Sequence, residues 1–114
     1  MLFRSGEVYW AQYRYTDQWL TVTAPTLSPA SEVVAQGAVT ACGNGLTAYA
    51  DAFAAQSFAA DALHGLMPHA TQIAQLARIE LARGTAVAAR DAQPIYLRNK
   101  VALTTRERLA KVAS

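Results

Sequence analysis

Apolar and polar positions alternate at the start of the chain. Within Gly6–Tyr15, Val8 and Trp10 fall on one side and Glu7, Tyr9 and Tyr13 on the other, the period of two that a strand requires. The polar stretch Thr16-Asp17-Gln18 separates this run from Trp19–Thr23, which is also alternating and β-branched, so the two predict an antiparallel hairpin. Ser28-Pro29 has the form of a helix cap followed by proline at the first helical position, and predicts a short helix from Pro29 to about Gln36, ended by Gly37. Ala38–Cys42 predicts a strand, Gly43-Asn44-Gly45 a turn, and Leu46–Ala55 a helix with Leu46, Tyr49, Ala50 and Phe53 on one face. Between Gln56 and Met67 neither period dominates, and a short strand near Phe58 is the reading there. The clearest helix starts at Pro68: Ile73, Leu76, Ala77, Ile79, Glu80 and Leu81 form its stripe, Gln72, Gln75 and Arg78 lie between, and Gly84 supplies the stop. Asp91–Arg98 is an extended segment led by Pro94, placed at a sheet edge or as a docking strand. Thr104 and Glu107 have capping-box spacing ahead of a frayed terminal helix that reaches Lys111.

With 53% hydrophobic and 16% charged residues the chain is of globular type, and 114 residues make one domain. Alanine fills 25 positions and buries little area at each, so the core is expected to be thin and the isolated chain marginally stable. Net charge is only +2, but six basic residues (Arg90, Arg98, Lys100, Arg106, Arg108, Lys111) against two acidic ones (Asp91, Glu107) make the C-terminal end basic. A solvated terminal face is the ordinary reading of such a tail, and contact with RNA phosphate is the alternative. A single cysteine, Cys42, excludes an internal disulfide and is expected to be buried and inert. No apolar run has the length of a membrane span, and the start has no signal-peptide core, so a cytoplasmic protein is expected.

Catalytic chemistry has few candidates. His64 and His69 are five residues apart with no carboxylate between them, unlike the spacing of four that places two zinc ligands on one helical face. Ser28, Ser31 and Ser57 lie outside any nucleophile elbow. Gly43, Asn44 and Gly45, between an apolar run and a helix, offer the one backbone turn suited to a phosphate, without the lysine, hydroxyl and further glycine of the known phosphate loops. The aromatics Tyr9, Trp10, Tyr13, Tyr15 and Trp19 are interleaved with a single cation, Arg14. The reading therefore assigns no catalytic residue, no metal ligand set and no cofactor, with Gly43–Gly45 as the weak binding candidate.

Two stretches carry a resemblance. Gly6-Glu7-Val8-Tyr9-Trp10-Ala11-Gln12-Tyr13 resembles the segment that follows an Asp-Ala-Arg-x stretch in the TsaB (YeaZ) family of glycoprotease-like proteins, and Pro94-Ile95-Tyr96-Leu97-Arg98-Asn99-Lys100-Val101-Ala102 resembles that family's C-terminal Pro-x-Tyr-Leu-Arg signature. The resemblance covers 6–102 and only the family's C-terminal half. It implies an α/β fold, the C-terminal half of an actin-like ATPase (ASKHA, RNase H-like) with a mixed sheet and flanking helices. It also implies an accessory, non-catalytic subunit that pairs with a TsaD-type catalytic subunit and a TsaE-type ATPase to form threonylcarbamoyl-adenosine on tRNA, touching tRNA at most indirectly, with a homodimer as a further possibility. The family's Asp-Thr-Ser-type opening strand and Gly-Pro-Gly-Ser-Phe-Thr-Gly loop have no counterpart here. Met1-Leu2-Phe3-Arg4-Ser5 stands where the family has Asp-Ala-Arg-x, so residues 1–5 are expected to be a non-native start and 103–114 a basic tail. A small nucleotide-binding module using Gly43–Gly45, and an RNA-contacting module using Arg98, Lys100, Arg106 and Arg108, are the alternatives from other classes.

Overall fold

The computed structural model describes residues 2–4, 6–97 and 105–113. Strands β1 (Leu2–Arg4), β2 (Glu7–Tyr15) and β3 (Trp19–Pro29) form one antiparallel sheet in the order β1-β2-β3. The hairpin of β2 and β3 stands where alternation places it, and Tyr15 pairs with Trp19 across the three-residue turn, their rings 5.1 Å apart. β3 runs six residues beyond the expected end at Thr23. Its pairing with β2 shifts between Trp10↔Thr26 and Tyr13↔Thr21, so β3 carries two extra residues there; the bulge accommodates Pro25, which has no N–H for a ladder.

The expected helix over 29–36 is a single 3-10 turn, Ala30–Glu32. Ser28 pairs with Val8 in the sheet, and its hydroxyl accepts Trp10 Nε1–H at 2.9 Å and donates to the Pro29 carbonyl, so it caps nothing. Val33 then extends and is buried. The expected helix over 46–55 is two single turns, α1 (Gly45–Ala48) and α2 (Ala50–Phe53), separated at Tyr49, whose hydroxyl is anchored on the Gly6 N–H at 2.7 Å and whose backbone leaves the helical region. In place of strands over 38–42 and near Phe58 there is one isolated parallel bridge, Cys42↔Leu63, with Leu63 N–H donating to the Ala41 carbonyl at 2.8 Å. Phe58 lies in a turn that brings its ring within 6.0 Å of Phe53. A mixed sheet was expected; the sheet of the described residues is antiparallel throughout, and the parallel Cys42↔Leu63 bridge stands apart from it.

Val8, Ala30, Val33, Leu46, Phe53 and Phe58 form the core, with Trp10, Val39 and Tyr49 packed against it. Its buried residues all lie between positions 8 and 58. The long helix α3 (Ala70–Ala82) forms where its periodicity puts it, but begins two residues after the expected start at Pro68. Gly84, at φ 75°, ends it in a Schellman turn: Thr85 N–H donates to the Glu80 carbonyl and Gly84 N–H to that of Leu81. Yet no residue of α3 is buried. A 3-10 turn at Ala89–Asp91 and the terminal helix α4 (Thr105–Ala113) complete the described chain. Thr104 of the expected capping box and Arg98–Ala102 of the C-terminal signature lie outside the described residues. Strands and helices together make this a small α/β chain, and no helix of the described residues is long and apolar enough to cross a membrane.

Candidate functional site

The Gly43-Asn44-Gly45 turn is folded into the protein. Gly43, at φ 112°, and Gly45 are buried, Asn44 caps the four-residue helix α1, and its carbonyl accepts the N–H groups of Thr47 and Ala48. Asn44 Oδ1 is buried with no hydrogen-bond partner among the described residues. His64 and His69 are both exposed and separate in role: His64 Nδ1 lies 3.1 Å from Thr47 Oγ1, and His69 precedes α3 without capping it through its side chain. Of the basic tail, Arg90, Arg106, Arg108 and Lys111 are exposed, whereas Arg98 and Lys100 lie outside the described residues. Cys42 is half-buried, not buried as expected, because it lines an open slot.

That slot has a volume of about 530 Å³. Trp10, Ala11, Gln12, Tyr13, Arg14 and Tyr15 all line it. Successive strand residues point to opposite faces, so a hollow touching six in a row runs along the strand's edge. Among the described residues β1 pairs only with Glu7–Tyr9 on the side of β2 away from β3, and no other strand pairs with that edge. The opposite wall is the irregular segment 35–42, and Val33 and Phe58 form the floor. Gln12 bridges the gap: its Nε2–H donates to the Gln36 carbonyl and its Oε1 accepts the Gln36 N–H, each at 2.8 Å. Gln36 thus has its backbone satisfied by a side-chain amide, in the two-bond pattern a neighbouring strand would supply. Alternation over Glu7–Tyr15 located Val8 and Trp10 but not this arrangement; the readable sign was a glutamine following them on the core-facing side.

A second, shallower groove of about 390 Å³ lies between the hairpin tip and α3. Tyr15 and Trp19 form one wall, Leu76 and Ile79 the other. At its end Arg83 Nη2–H donates to Gln18 Oε1 at 2.7 Å while Nη1 pairs with Glu80 at 3.2 Å. The apolar walls do not close: Trp19, Leu76 and Ile79 remain 56%, 47% and 54% exposed. Ile73 and Leu81 on α3, and Ile95 and Tyr96 in the extended segment after it, are also exposed. No protein-family model matches the chain, and no curated protein matches it.

Proposed function

We propose that the chain is a non-catalytic subunit whose apolar α3 face is covered by a partner polypeptide in its working assembly. One observation carries this: a thirteen-residue helix with Ile73, Leu76, Ile79 and Leu81 buries none of them. An amphipathic helix in water draws its stability mainly from burying its apolar stripe, and a helix left uncovered forfeits that contribution. Large apolar residues grouped on one element mark an interaction surface, whereas single ones scattered over a surface mean nothing.

The resemblance of Gly6–Tyr13 and Pro94–Ala102 to the TsaB family names the assembly in this proposal: the cytoplasmic complex that forms threonylcarbamoyl-adenosine on tRNA. The chain supplies there the C-terminal half of an actin-like subunit that supports a TsaD-type catalytic subunit, beside a TsaE-type ATPase. Co-purification with a TsaD-type subunit tests it, run on the chain alone and on the chain joined to the N-terminal half of a full-length TsaB protein. Capture of the joined form, lost on changing Leu76 and Ile79 to aspartate, is the expected result. Failure of both forms to bind removes the TsaB assignment.

A further inference from the structure

We infer that a polar latch, Gln18–Arg83–Glu80, holds α3 against the hairpin tip, and that its release uncovers Leu76 and Ile79 for the partner. The second groove is where α3 and the hairpin face each other, with Tyr15 and Trp19 on one wall and Leu76 and Ile79 on the other. Leu76 and Ile79 are less exposed than Ile73 and Leu81, which lie outside the groove. The hairpin tip thus shields the middle of the stripe and leaves its ends open.

The apolar walls of this groove stay open to water, so its polar end decides whether the two sides remain together. Among the described residues, the bond from Arg83 Nη2–H to Gln18 Oε1, at 2.7 Å, is the one hydrogen bond that joins α3 or its C-cap to any residue before Pro68. The guanidinium is aimed by its own turn. Glu80 Oε1 accepts Nη1–H at 3.2 Å, and Glu80 Oε2 accepts the Thr85 hydroxyl at 2.6 Å. The Schellman turn at Gly84 thereby fixes the carboxylate, the carboxylate fixes the planar fork of Arg83, and the fork reaches Gln18 with its geometry set in advance. A single contact between exposed polar groups holds weakly and opens readily. Opening it frees Leu76 and Ile79 from the Trp19 ring, and a partner's side chains then cover them. The inference rests on the proposed partner surface for that last step, whereas the latch is a property of the chain alone.

Fluorine NMR on the full chain, labelled with fluorotryptophan, tests the latch through the solvent-isotope shift of Trp19, which reads the contact of its ring with water. Gln18→Ala, Arg83→Ala and the double variant should all raise that shift by the same amount, since each breaks the same bond, while the Trp10 resonance is unchanged. Capture of a TsaD-type subunit by the chain joined to a TsaB N-terminal half should tighten about threefold on Gln18→Ala. A Trp19 shift that the variants leave unchanged, single effects that add in the double variant, or capture that Gln18→Ala leaves unchanged or weakens overturns the inference. Absence of capture by parent and variant alike removes the TsaB assignment instead, and the fluorine readout then decides the latch by itself.

Discussion

Phe53 and Ser28 show how much a few side chains carry in this molecule. Phe53 is 1% exposed and packs at a tilt against Phe58 in a core of six buried apolar residues among those described. Phe53→Ala removes roughly 3–5 kcal/mol, comparable with the whole stability of a small domain, so we expect its urea unfolding to lose the cooperative step. A sigmoidal transition little shifted from that of the parent would contradict the core as described. Ser28→Ala strands the Trp10 indole N–H in a half-buried position and should cost about 1–3 kcal/mol, read from the shift in denaturation midpoint. An unchanged midpoint would mean that the indole finds water instead. The same serine shows where reading the sequence fails: Ser-Pro before an apolar stretch has the form of a helix start, but a hydroxyl engaged by a tryptophan eighteen residues upstream is not free to cap. Val8 and Trp10 could be placed on the core side because alternation is a local property. Nothing local marks Gly43 and Gly45 as buried.

Among the elements, the hairpin and α3 were readable from their periods; α3 ends at Gly84 as its turn chemistry says, whereas β3 runs on past Thr23 to Pro29. The segment between them was not. Single-turn helices and one isolated bridge have no period to detect, and residues 30–62 take their shape from the side chains they must deliver to the core. Periodicity finds the apolar face of α3 correctly and says nothing about what covers it. Because that face is exposed, changing Ile73, Leu76 and Ile79 together to glutamine should alter the stability of the isolated chain by no more than about 0.5 kcal/mol per site, while abolishing capture of a partner. A loss of several kcal/mol in thermal or chemical denaturation would show instead that α3 packs within its own chain.

At the scale of the molecule, the radius of gyration is 17.4 Å, against about 13 Å for a compact chain of this length. The buried core lies within 8–58, and α3 adds no buried residue to it. Of the C-terminal signature that carries the proposed TsaB-like resemblance, Pro94–Leu97 are described, with Ile95 and Tyr96 exposed. Hydrogen exchange across α3 is the most direct measurement, made on the chain joined to a TsaB N-terminal half, with and without a TsaD-type subunit. In the partner's absence the amides of α3 should exchange far faster than those of the β2–β3 hairpin, and in its presence they should slow by orders of magnitude. Amides of α3 that are as protected as the hairpin's without a partner, or that the bound partner leaves unchanged, would contradict the account.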